Sequence, residues 1–209
     1  MQISTWFLAE HARVHSAAIG PLHDWQVAPG FSIQREEDTI CDGLSDAQLR
    51  QMPGGLNSIA WLLWHLARCE DVGVNLILRG RSEVLDDEQW LPRLQVETRH
   101  IGTGASEDEV RQFSACVDVG MLRAYRAAVG RATQAWVAAL DVAVLEQIPD
   151  VRARLSEAPA TLTEHSAWVA AEWEGATGSW FLSYLVVAHA YWHLGEAYVT
   201  RARLGGAVC

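Results

Sequence analysis

The chain has no lysine: all sixteen basic residues among its 209 are arginine. Set against 26 Asp and Glu they leave a formal charge of −10, which repels phosphate backbones and argues against nucleic acid as a general partner. Cysteine is sparse. Cys41, Cys69, Cys116 and Cys209 are widely spaced and form no CxxC pair. Met1–Glu10 lacks the basic-then-apolar order of a signal peptide, so a reduced, cytoplasmic setting is expected. No segment alternates apolar and polar residues as a half-buried strand does, and there is no internal repeat. Gly102-Thr103-Gly104 is too short for a nucleotide loop and follows no strand, and no Gly-x-Ser-x-Gly elbow exists.

What remains is helical. Hydrophobic residues make up 50% and charged residues 20%, a globular balance, and the length suffices for one domain with a sizeable core. Helices are expected over Ile3 to Ala18, Ser32 to Asp42, Ser58 to Leu78, Ser106 to Leu140 and from Gly178-Ser179 to Gly205. Short pieces are expected at Ala47 to Arg50 and Glu164 to Glu174. Asn57 or Ser58 offers an N-cap oxygen, and Ser106 with Glu109 forms a capping-box signature. Long connections over 80–105 and 141–178 suggest an all-α four-helix bundle with crossovers, one domain over residues 1–209 with an elaborated segment at about 141–178. The Trp180 to Val199 run approaches the length of a membrane span. It carries His189, His193 and Glu196, however, and scatters its aromatics, so a soluble core helix and no membrane partner are expected.

The histidines carry the chemistry. His189 and His193 are four residues apart in an apolar run, and on a helix that spacing places both about 40° apart on one face. His65 lies in a second apolar run beside Trp61, Trp64 and Leu66. A buried imidazole left unpaired costs roughly 1–3 kcal/mol, and one ion shared by all three would satisfy them together; core histidines bonded to carbonyls or carboxylates are the alternative. Three imidazoles would leave open positions on zinc, nickel or iron, as a reactive site requires. Glu196 shares the face of His189 and His193 as a ligand, an orienting carboxylate or a general base, or else pairs with an arginine such as Arg68. Cys69, one turn after His65, faces the same way, although a free cysteine is usually a small core residue. His11 and His15 repeat the spacing, but Glu10, Arg13 and Ser16 flank them and a solvated or pocket-lining face is expected. A di-iron bundle would want Glu-x-x-His motifs on paired helices, but Leu62 rather than Glu stands three residues before His65, and that reading fails. Most of the ten tryptophans read as core, and some can line an apolar pocket above an ion.

Asn57-Ser-Ile-Ala-Trp-Leu-Leu-Trp-His65-Leu-Ala-Arg-Cys-Glu-Asp71 resembles the helix-two motif of the DinB-like superfamily. His189-Ala-Tyr-Trp-His193-Leu-Gly-Glu-Ala197 resembles that superfamily's final helix, where an HxxxH pair precedes Gly-Glu. Order and separation also fit over most of the chain. The resemblance implies a four-helix bundle, a divalent metal held by His65, His189 and His193, and a homodimer. It also implies a small-molecule substrate, in some relatives with a low-molecular-weight thiol such as mycothiol or bacillithiol in isomerase or S-transferase chemistry. The superfamily motif marks none of Cys69, His11 and His15. The expectation is a metal-dependent enzyme in which the ion activates a thiol or water, with Glu196 as base or orienter. The alternatives are a stress-related binding module that holds a small apolar ligand or thiol without turnover, and a structural bundle with hydrogen-bonded core histidines.

Overall fold

The computed structural model describes residues 3–20 and 35–205, and among them every regular element is helical. Four long helices form the bundle. α1 is Ile3–Val14. α2 is Ile59–Glu70, which continues without a break as a π-helical stretch, Asp71–Leu78. α3 is Val119–Ala138. α4 starts at Gly178–Trp180, passes through a second π-helical stretch, Phe181–Ala188, and ends as His189–Arg203. Among the described residues no helix is long and apolar enough to cross a membrane.

α1 packs chiefly on α3 and α4, and α2 packs on the same two helices, so α1 and α2 stand on one diagonal and α3 and α4 on the other. The crossovers therefore join α1 to α2 and α3 to α4. The long 80–105 connection instead joins the neighbours α2 and α3, and it holds two short helices, Val84–Asp87 and Trp90–Leu94, where no period was visible. Segment 141–178 carries the helix Val151–Glu157 and the expected short helix bearing Trp168 and Trp173, as Trp168–Trp173.

Local chemistry explains most boundaries. Ser58 is the N-cap of α2, its Oγ accepting the Trp61 N–H, while Asn57 is free for another task. Ser106 and Glu109 form both bonds of the capping box. The helix they open does not run to Leu140. It stops at Cys116, Val117 turns extended, and Asp118 caps α3 by accepting the Met121 N–H. Tertiary bonds hold this break, for Arg50 donates twice to the Val117 carbonyl and the Asp118 N–H donates to Leu94. Thr177, rather than Gly178-Ser179, caps α4. α1 ends at Val14, short of Ala18, and a 3-10 turn follows at Ala17–Ile19. The second helix is seen as Glu36–Cys41, residues 32–34 of its expected range lying outside the described residues.

α2 and α4 approach closely where their π-helical stretches meet. A Cβ on Gly73 would stand 2.5 Å from Leu185 Cδ2, so only glycine fits unless Leu185 moves. This contact lies two turns from His65 on one helix and one turn from His189 on the other. It sets the separation of the helices that carry the three histidines.

Candidate metal centre

His65, His189 and His193 come together between α2 and α4. Their rings meet edge to face, with centroids 4.9 Å (65–189), 4.7 Å (65–193) and 4.6 Å (189–193) apart. His65 Nδ1 lies 2.5 Å from the Ile101 carbonyl oxygen, which can only accept, so Nδ1 carries the proton and Nε2 a lone pair. His193 Nδ1 lies 3.1 Å from Glu196 Oε2, and the carboxylate assigns the same tautomer there. Hydrogen bonds from His193 and from Asn57 Nδ2, the latter 2.8 Å from Oε1, hold Glu196 below the usual carboxylate range. Glu196 thus orients His193, and Arg68 is not its partner.

The lone pair on His65 Nε2 faces His189 Nε2 at 3.1 Å. Two nitrogens about 2.0–2.1 Å from one ion, at an angle of roughly 100°, would be separated by about this distance. Burial, reinforced by the neighbouring imidazoles, lowers His65 to about 4 and His189 to about 2. Both are therefore neutral at pH 7, the form that binds metal. The donor set fits a divalent cation.

Cys69 is buried beside His65, its Sγ 3.8 Å from Nδ1 and 3.9 Å from Nε2. Near-equal distances put the sulfur abreast of the ring, off the Nε2 axis. Burial pushes its thiol up to about 12. Among the described residues, two groups bring ligand atoms close enough for an ion: His65, Cys69 and His189, and His11, His15 and Glu70.

The second group corrects the reading of His11 and His15 as a solvated face. Both are fully buried, and their Nε2 atoms each lie 2.8 Å from a different oxygen of Glu70. Glu70 thereby ties α2 to α1 across the bundle diagonal. Burial alone would raise the Glu70 carboxyl, but the two imidazoles outweigh it and hold it well below the ordinary value. Burial and the nearby Arg126 charge lower His15 to about 3. Both carboxylate oxygens have donors and a guanidinium disfavours added positive charge, so the cluster is a closed polar tie between helices.

Arg68, buried one turn from His65, belongs to a third network. Its guanidinium pairs with Glu83 at 2.5 Å and donates to Tyr125 Oη at 3.1 Å, while Tyr125 donates to Asp71 at 2.7 Å. Asp71 also accepts the N–H groups of Val84 and Leu85, anchoring the start of the α2–α3 connection. The Arg-Cys-Glu-Asp run after His65 therefore does structural work in three directions.

A cavity of about 440 Å³ opens over the histidines. One wall is α4, where Trp180 stacks on Tyr184 at 4.9 Å and Tyr184 meets Trp192 edge-on at 5.4 Å. The facing wall comes from the 141–178 segment through Trp168, Glu172 and Trp173. Gly102-Thr103-Gly104 closes one side. Gly102 has φ +90°, and a Cβ there would sit 3.2 Å from His65 Nδ1 and 3.1 Å from Trp61. The Ile101 N–H donates to Thr161, which fastens this loop to the 141–178 segment. The glycine pair thus permits close packing against a histidine. The Ile101 carbonyl and the pairing of Asn57 with Glu196 were not foreseen; the dense glycines at 102–104 were the only sequence signal near either.

A helical bundle whose two apolar helices converge three imidazoles under a cavity defines a protein of candidate metal-site class. A model of the DinB superfamily matches residues 34–197, and the chain belongs to that superfamily, a four-helix-bundle family with many metal-dependent enzymes. No curated protein matches the chain.

Proposed function

We propose that the protein is a metal-dependent enzyme acting on a small molecule, with one divalent ion held by the Nε2 atoms of His65, His189 and His193. The observation that carries this reading is the tautomer assignment. Ile101 and Glu196 occupy the Nδ1 protons of His65 and His193 and so leave each Nε2 a lone pair, and His65 Nε2 faces His189 Nε2, with the His193 ring packed edge-on against both. Two facing lone pairs repel unless a proton or a cation lies between them, and a cation also uses the third ring. A bound ion would lower the pKa of a thiol or water brought to it and so supply a nucleophile.

The chain's own residues do the rest. Ile101 and Glu196 fix ring orientation, and Asn57 fixes Glu196 in turn. Glu196, partly exposed, stays ionised and holds the Nδ1 proton of His193 in a hydrogen bond. The aromatic walls exclude bulk water from one side of the site. A low-molecular-weight thiol is the nucleophile we favour, with hydrolysis by water as the other metal-dependent outcome.

The test is turnover by metal-loaded protein given mycothiol or bacillithiol with a panel of electrophiles, following thiol consumption. A rate that disappears on chelation and in His65→Ala is expected. Metal-saturated protein with no rate against the thiol panel or hydrolysable esters would instead support a module that binds without turnover.

A further inference from the structure

The cavity over the histidines has an unusual charge character. None of the chain's sixteen arginines lines it, and there is no lysine to do so. Away from the histidine floor, the one charged side chain on its wall among the described residues is Glu172. Arg152, the arginine that reaches this part of the 141–178 segment, is committed to a bidentate pair with Glu174. Glu172 is exposed and has no ion-pair partner among the described residues.

The rim is aromatic. Trp168 is 56% exposed and Trp192 60%, a large apolar area left in water on either side of the opening. Trp168 and Glu172 are four residues apart on one short helix and so share a face. An indole face beside a carboxylate attracts cations, since the ring quadrupole and the formal charge act in the same sense. A phosphate, sulfate or carboxylate group would meet no donor cation there and would be repelled by Glu172.

We infer that this cavity receives a substrate with an alkylammonium head, held at the rim by Trp168, Trp192 and Glu172, with its reactive end toward the three histidines. The inference rests on the reading of this cavity as the substrate site. The head lies away from the ion's place because Trp168, Trp192 and Glu172 are at the opening and the histidines are at the floor. A tri- or tetraalkylated nitrogen suits these rings best, for its charge is spread over methyl groups that make apolar contact with indole faces and need few hydrogen bonds.

Three probes with the same ring and similar head shape isolate the charge: phenyltrimethylammonium, tert-butylbenzene and benzenesulfonate. Their binding is measured by quenching of tryptophan emission, confirmed by calorimetry, on zinc-loaded wild type and on metal-free His65→Ala. The cation should bind about tenfold tighter than the neutral isostere, with the sulfonate weakest, in both proteins. Glu172→Gln should weaken the cation about threefold to tenfold and leave tert-butylbenzene unchanged, and Trp168→Ala should weaken both. Both positions are exposed, so the variants fold. Equal affinities for the three probes, or a preference for the sulfonate in metal-free protein, would overturn the inference. Absence of metal from wild type would remove the proposed catalysis but leave the ranking of the probes readable.

Discussion

Substitution of Glu70 distinguishes the two histidine groups. Its carboxylate accepts one N–H from His11 and one from His15, both at 2.8 Å, in a site closed to water. Glu70→Ala strands two buried donors, at about 1–3 kcal/mol each, for a total of about 2–6 kcal/mol before any packing loss. Glu70→Gln keeps the shape. Its amide oxygen serves one ring, but its NH₂ faces the other ring's N–H. That ring must change tautomer and move its proton to Nδ1, which is buried without a partner. One unsatisfied donor remains, about 1–3 kcal/mol. For a chain of this size about 2–4 °C is lost per kcal/mol, so melting should fall by about 2–12 °C in Glu70→Gln and further in Glu70→Ala. The assay is thermal unfolding at pH 7.5 by circular dichroism, with metal content measured on the same samples. Metal content should match wild type in both variants. A melting temperature within about 1 °C of wild type in Glu70→Ala would refute the polar-tie argument on its own stated magnitudes. Loss of metal would show that the ion belongs to this cluster.

Acid should destabilise the metal-free protein. His15 is lowered to about 3 when folded, so between its ordinary 6.5 and about 3 the unfolded chain binds a proton that the folded chain does not. Stability therefore falls as pH drops through that window, by up to about 1.4 kcal/mol per pH unit for this one group. Glu70, lowered when folded, loses its contribution in the same direction below its ordinary value. Urea titrations between pH 7 and 5 should show a shallower pH slope for His15→Gln than for wild type, and equal slopes would contradict the assignment. Glu196→Gln and Asn57→Ala should weaken metal binding by about 10–100-fold without abolishing it, because they loosen the orientation of His193 rather than remove a ligand; competition with a chelator of known affinity measures this. Gly102→Ala should weaken metal binding as well, since its Cβ presses on His65 Nδ1 from a strained φ, while a surface glycine variant such as Gly195→Ala, with open space at its Cβ, should not.

The clustering of His65, His189 and His193 was legible because each sat in a long apolar run, where an imidazole without a partner stands out. The N-terminal pair was misread for a geometric reason. Glu10 and Arg13 are sequence neighbours of His11, but at about 100° per residue they lie on other faces of the helix, and Ser16 lies past its end, so none of them reports on the histidine face. Glu70 was hidden because its partners are 59 and 55 residues away. The four-helix plan was readable from periodicity and caps. The π-helical stretches were not, since moving the hydrogen bonds along by one residue leaves an all-apolar run looking the same. Nor was the break at Val117, where no glycine or proline marks the site and bonds from Arg50 and to Leu94 impose it. The crossover pairs depended on which helices share a diagonal, a property of packing that connection length does not encode.

The most direct test of the metal centre is elemental analysis of untagged protein as purified, beside His65→Ala, His189→Ala/His193→Ala and His11→Ala/His15→Ala, with circular dichroism to confirm helical content. The account predicts one divalent ion per chain in wild type and in His11→Ala/His15→Ala, and none in the other two variants. Wild type that holds no ion and takes none up on soaking, or an ion that survives His65→Ala, would contradict it.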